Sequence, residues 1–185
     1  MKLRTSETDP LRIAEIPVGT GVVGVTLCPG KRGASVFGSA WARDLEADVA
    51  AIASWGASAV VTLIEDHEFT LLGVEQLPQA VRAAGIEWHH LPIEDVSVPD
   101  ERFERAWPVV WPRLKGRLAA GERVLVHCRG GLGRAGTVAA LMLAECGESA
   151  AVAIKRVRTA RPGAIETAEQ ERWVRGRQPT PKGST

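Results

Sequence analysis

A chain of 185 residues with 45% hydrophobic content is long enough for one well-buried domain and too short to need two. Its formal net charge of +1 excludes bulk attraction to nucleic acid or to an anionic membrane, so any cationic function is local. No apolar run approaches the roughly 20 residues that cross a bilayer, and the first residues lack the apolar core of a secretion signal, which points to the cytoplasm and to no stable membrane association.

Residues 1–15 are polar and mixed and read as a loosely held lead-in to a domain over 16–177. Residues 22–27 read as a strand closed by Pro29 and Gly30. Leu45, Val49 and Ile52 share a helical face within 43–55, and Gly56 supplies the stop. Residues 59–64 are apolar without alternation, as expected of a strand covered on both faces. A second amphipathic helix is expected from Gly73 or Val74 to Ala84, then a strand over 86–91 and an irregular stretch to Pro99.

From Asp100, Phe103, Trp107, Val110, Leu114 and Leu118 fall on one helical face. Pro108 and Pro112 interrupt it, and an interior proline costs roughly 3 kcal/mol, so a kink or two pieces is expected. Residues 124–128 form the last clear strand, followed by helices over 135–145, 149–160 and 167–175 and a polar tail over 178–185, expected to be disordered. Three times a helix ends at a glycine (Gly56, Gly85, Gly121) and passes into an apolar strand. That rhythm predicts an α/β fold, a single domain with a central, largely parallel (mixed) sheet of about 4–5 strands flanked by helices.

The chemistry gathers at His127-Cys128-Arg129-Gly130-Gly131-Leu132-Gly133-Arg134, between the last strand and the next helix. A cysteine attacks as thiolate, and a helix N-terminus with a neighbouring arginine stabilises negative charge on sulfur. Gly130, Gly131 and Gly133 let the backbone curl until its N–H groups converge as an anion nest. Arg134 can add a planar bidentate grip on two phosphate oxygens. Singly, the cysteine reads best as a small buried hydrophobe and the glycines as a connector; the conjunction favours chemistry. The Lys-Ser/Thr of a nucleotide-binding Walker loop is missing. Cys28, Cys128 and Cys146 are odd in number and widely spaced, which suggests neither a disulfide framework nor a zinc site.

Cys128, five residues and Arg134 match the signature of the cysteine-dependent protein tyrosine and dual-specificity phosphatases. The full run most resembles the cyclin-dependent kinase-associated phosphatase branch and its bacterial relatives. Residues 88–95, 98–100 and 161–170 look like further marked segments of that branch. The resemblance implies a dual-specificity-phosphatase-like fold and a nucleophile at Cys128 that forms a phosphocysteine. It further implies a phosphate cradle from Arg129 to Arg134, His127 as support for the cysteine backbone, and no metal or other cofactor. The implied partner is a phosphorylated protein or other phosphomonoester.

The family draws its general acid from an Asp about thirty residues before the Cys. Asp95 stands 33 residues before Cys128 and is preferred; Asp100 also follows a proline, but an Asp before Glu101-Arg102-Phe103 is a good helix N-cap. Gln170 matches a position near the site in relatives, although Thr167 and Gln170 also form a capping box, the favoured reading. Glu65 and Glu68 could orient Arg134, with solvated loop charges slightly favoured. The pattern's Ser or Thr after the Arg is replaced by Ala135, and Thr137 lies on another part of the helix, so slow release of the phosphoenzyme is expected. The absence of tyrosine favours a shallow dual-specificity pocket over a deep tyrosine-specific one. Two alternatives stand beside the phosphatase: a phosphate-binding or phosphoprotein-binding module with little turnover, and a Cys-loop sulfurtransferase.

Overall fold

The computed structural model describes residues 3–35 and 38–177. A hairpin of β1 (Ala14–Val18) and β2 (Gly21–Thr26) is followed by a short ribbon, β3 (Arg32–Gly33) with β4 (Trp41–Ala42). Then come α1 (Leu45–Trp55), β5 (Ala57–Thr62), α2 (Asp66–Leu72), α3 (Leu77–Ala83), β6 (Glu87–His90) and α4 (Glu101–Ala119). The chain continues through β7 (Arg123–His127), α5 (Gly133–Glu145), α6 (Ala150–Ala160) and α7 (Ala168–Arg175). The main sheet runs β1-β2-β7-β5-β6, antiparallel at β1–β2 and parallel elsewhere. This is the expected mixed α/β sheet, and β7 lies at its centre.

The strands without alternation are indeed covered twice. Val124 and Val126 face one core with Val23, Val25 and Val61, against α4, α5 and α6; Leu125 and Val60 face the other, with Val49 and Ile52 of α1 and Val81 of α3. Helix α5 is buried from Gly133 to Ala144, which its small side chains permit. Full burial of Leu141 and Leu143 contributes roughly 2–3 kcal/mol each. The helix that carries Arg134 is thus the most enclosed in the fold.

Three expectations need correction. The described part of the expected loose lead-in over 1–15 is held: Ala14–Val18 is an edge strand whose Ile16 and Val18 alternate inward, and Pro17 is tolerated because an edge leaves one ladder side free. Ahead of it, Arg4 bridges to Trp41, and the Ser6 hydroxyl donates to Asp48 Oδ1 at 2.9 Å. The helix expected from Gly73 begins at Leu77, because Gly73 at φ +63° caps the unforeseen α2. Helix α4 is one element through both prolines. Pro108 and Pro112 sit on its exposed side, whereas Phe103, Trp107 and Trp111 stack in the core with ring centroids 5.2 Å apart. The reading of residues 178–185 lies outside the described residues.

Candidate active site

Parallel strands deliver ligands to their C-terminal ends, and Cys128 leaves the end of the central strand. What holds the following loop open is visible in its carbonyls. Arg129 O accepts from Cys28 N at 3.3 Å and Lys31 Nζ at 3.2 Å. Gly130 O and Gly131 O accept from Arg161 Nη2 and Nε at 3.3 and 3.0 Å. Leu132 O accepts from Ile165 N at 3.3 Å and Gly136 N at 2.9 Å. Across a planar trans peptide, C=O and the next N–H point opposite ways. Clamping four successive carbonyls outward therefore turns the N–H groups of residues 130–133 toward the loop centre, where Gly131 N donates to Cys128 Sγ at 3.3 Å. Gly131 has no substitute: at φ +68°, a Cβ would lie 2.4 Å from the Thr26 backbone.

Arg134 is 2% exposed, and its guanidinium is set by a carboxylate on α2. Nη1 donates to Glu68 Oε2 at 2.6 Å and to Ile93 O at 3.0 Å, and Nη2 to Glu68 Oε1 at 3.0 Å. Glu68 also accepts from Glu65 N at 2.8 Å. Burial alone would raise the Glu68 pKa, but bonds from Arg134 and from Glu65 N–H hold it below the ordinary value; Arg134 is displaced upward, its burial outweighed by the same partner. The preference for solvated charges is thus overturned for Glu68. Glu65 turns instead to Arg102, whose Nη2 donates to its Oε1 at 3.1 Å.

The two aspartates separate cleanly in space. Asp95, half exposed, lies 2.9 Å from Arg134 Nη2 and 4.0 Å from Arg129 Nη1, at the loop mouth. Asp100 caps α4, accepting from Arg102 N at 2.9 Å and Phe103 N at 3.4 Å, and pairs with Arg102 Nε at 2.9 Å. Val96, directly after Asp95, holds φ +64°, a strained conformation for a β-branched residue.

His127 is buried beneath the cysteine, between Thr26 and Thr62 in register. Trp88 Nε1 donates to Thr62 Oγ1 at 2.8 Å, and Thr62 Oγ1 lies 2.8 Å from His127 Nε2. An indole N–H only donates, which leaves the threonine hydroxyl free to donate to Nε2. Nδ1 then carries the imidazole proton, facing Cys128 O at 3.4 Å. Burial lowers the His127 pKa to about 4, so the ring is neutral near pH 7.

Gln170 is buried and keeps its capping box with Thr167. Its Nε2 also donates to Ser97 O at 3.1 Å, tying α7 to the loop that carries Asp95. Thr137 Oγ1 donates to Gly133 O at 2.7 Å within its own helix, and Ala135 is packed in the core. Sequence reasoning missed the clamping roles of Lys31, Arg161 and Ile165. The segment holding the last two was singled out only for its likeness to the branch, and no local pattern shows that its guanidinium reaches loop carbonyls thirty residues away.

A family model described as the Swiss Army Knife protein, DSP-PTPase phosphatase domain, matches residues 41–174. The chain belongs to this phosphatase family. Cyclin-dependent kinase inhibitor 3 of Rattus norvegicus is 29% identical over 175 residues, 91% of this chain and 79% of that protein. Among solved structures, kinase associated phosphatase (KAP) with its catalytic-site cysteine changed to serine superposes with a TM-score of 0.78 at 26% identity, over 89% of this chain and 92% of that one. Tk-PTP in the active form gives a TM-score of 0.63 at 30% identity, over 84% and 92%. The chain is therefore a cysteine-dependent phosphatase acting on phosphomonoesters, a family distinct from the sulfurtransferases. Among the described residues no helix is long and apolar enough to cross a membrane.

Proposed function

We propose that the enzyme removes phosphate from phosphoproteins through a phosphocysteine on Cys128, with Arg134 as clamp and Asp95 as general acid. One observation carries the assignment: a cysteine sulfur accepts the Gly131 N–H of its own glycine loop, and a buried, carboxylate-oriented guanidinium closes that loop. In the first step a sulfur lone pair forms the S–P bond as the P–O bond to the leaving group breaks. The Asp95 proton goes to the departing oxygen. Charge on the equatorial oxygens is met by the loop N–H groups of residues 130–133 and by Arg134, already in place. A substrate phosphate competes with Asp95 for Nη2 of Arg134, so binding frees the carboxyl to face the leaving oxygen. In the second step water attacks phosphorus, gives its proton to Asp95, and the S–P bond breaks to return the thiolate and inorganic phosphate.

His127 positions the Cys128 carbonyl, and Gln170 positions the Asp95 loop through Ser97. The absence of tyrosine supports a shallow pocket open to phosphoserine, phosphothreonine and phosphotyrosine alike. Three free cysteines, one of them needed as a thiolate, suit a reducing compartment such as the cytoplasm.

The assignment is tested with phosphothreonine peptide and p-nitrophenyl phosphate in parallel. Cys128→Ser is expected to abolish turnover of both. Asp95→Asn is expected to lower kcat roughly 10²–10⁴-fold on the alkyl phosphate, whose leaving group needs a proton, and much less on the aryl phosphate. Asp100→Asn is expected to leave kcat intact and cost about 1 kcal/mol of stability as a lost cap. An Asp95→Asn enzyme with full phosphothreonine activity would remove Asp95 from the role.

A further inference from the structure

Beside the catalytic loop, on the outer side of Gly130, lies a cavity of about 390 Å³ walled by the N-terminal segment and the ribbon residue Trp41. Its lining is strongly cationic in a chain whose net charge is only +1: Arg4, Arg12, Lys31 and Arg161 face a single carboxylate-bearing residue, Asp9. Arg43 also lines it, but its charge is spent on Asp48 at 2.7 Å. Among the described residues, none of the other four cations is ion-paired to a carboxylate. Arg4 lies over the Trp41 ring at 4.9 Å and Lys31 over the same ring at 4.2 Å, so one indole gathers both charges. Lys31 is only 7% exposed, and burial without a carboxylate partner pushes its ammonium pKa down to about 8.

A buried cation such as Lys31 is normally paired, as Arg43 and Arg134 are. Among the described residues it has no carboxylate partner, and it shares one space beside the catalytic loop with the half-buried Arg4 and Arg161 and the exposed Arg12; Lys31 and Arg161 also hold that loop's carbonyls. We infer that this cavity binds a second anionic group of the substrate, a phosphate or carboxylate close in sequence to the scissile phosphate of a phosphopeptide. The inference rests on the phosphatase reading of Cys128 and deepens it, since it names the substrate class. Arg4 and Arg12 supply the free donors, Trp41 holds Arg4 and Lys31 in place, and Lys31 and Arg161 link occupancy of the cavity to the loop.

The test uses three peptides of one sequence: one with a single phosphothreonine, one with a phosphoserine two residues away, and one with glutamate at that second position. The full chain is expected to show a KM about tenfold lower for the doubly phosphorylated peptide, with glutamate intermediate. Arg4→Ala/Arg12→Ala is expected to erase that preference and leave p-nitrophenyl phosphate turnover unchanged. Neither side chain touches the catalytic loop, so unchanged aryl phosphate activity also reports an intact fold. Equal KM for all three peptides, or a preference that survives in the double variant, would overturn the inference. Equality of the glutamate and doubly phosphorylated peptides would assign the site to a carboxylate rather than a phosphate. Calorimetric titration of the full-length Cys128→Ser protein with the same peptides gives the same comparison without turnover. An enzyme inert toward every substrate would refute the catalytic reading, while the calorimetric ratio still decides the cavity.

Discussion

Among the described residues two arginine–carboxylate pairs are buried, and their difference bears on the catalytic role proposed for Arg134. Arg43 spends itself entirely on structure: Nε and Nη2 donate to Asp48 at 2.7 and 2.8 Å, and Nη1 to Asp9 O at 2.7 Å. Asp48 in turn accepts from Gly30 N at 2.8 Å and from Ser6, so the pair staples the N-terminal segment to the sheet. Arg134 is equally buried and equally bidentate on Glu68, but one of its remaining neighbours is the half-exposed Asp95 at the loop mouth. A permanent partner aims the guanidinium, and a replaceable one occupies the side that a phosphate can claim. Breaking a buried pair costs about the same wherever it lies; only one of these two should matter to chemistry.

The widest separation is therefore expected from Arg134→Ala set beside Arg43→Ala. Each leaves a carboxylate buried without its partner and is expected to cost about 3–5 kcal/mol in denaturant unfolding. Per folded molecule, Arg134→Ala is expected to lose roughly a thousandfold in kcat/KM for p-nitrophenyl phosphate, and Arg43→Ala none. Equal activity losses in the two variants would collapse the distinction.

A smaller effect concerns His127, a buried side chain held neutral where the arginines are held charged. The folded pKa of His127 is about 4 against an ordinary value of about 6.5. Between those values the unfolded chain binds more protons than the folded one, so stability falls as pH drops from about 6.5 toward 4, by roughly 3 kcal/mol in full. Above pH 6.5 the group contributes no pH dependence. The check is the pH profile of unfolding free energy in wild type minus that in His127→Asn; a flat difference across this window would contradict the assigned neutral ring.

The smallest change expected is a gain. With Ala135 buried and the Thr137 hydroxyl committed to Gly133 O, no hydroxyl of the first helical turn is free to assist departure of the sulfur. Ala135→Ser is expected to raise steady-state kcat several-fold and to shrink a pre-steady-state burst of p-nitrophenol. A wild-type enzyme without a burst would show that the first step limits.

How much of this was legible in the sequence follows from how local each feature is. Cys128, the glycines and Arg134 lie within seven consecutive residues whose spacing alone describes strand, nest and helix. Asp95 was placed by its distance along the chain, and Asp100 by cap chemistry. Glu68 was misjudged because its pairing spans 66 residues and rides on a seven-residue helix too short for periodicity to reveal. Pro17 concealed β1, since a proline argues against a strand until the strand is known to be an edge. The clamp from Arg161 and the cationic cavity depend on chain ends meeting in space, as does the Arg43–Asp48 staple, and no linear pattern encodes such meetings.

The proposed phosphocysteine is open to direct observation. Enzyme mixed with p-nitrophenyl phosphate and quenched in acid within the first turnover is expected to carry one phosphate on the peptide containing Cys128, in an amount matching the burst, and none in Cys128→Ser. Label on another residue, or steady turnover by Cys128→Ser, would contradict the mechanism.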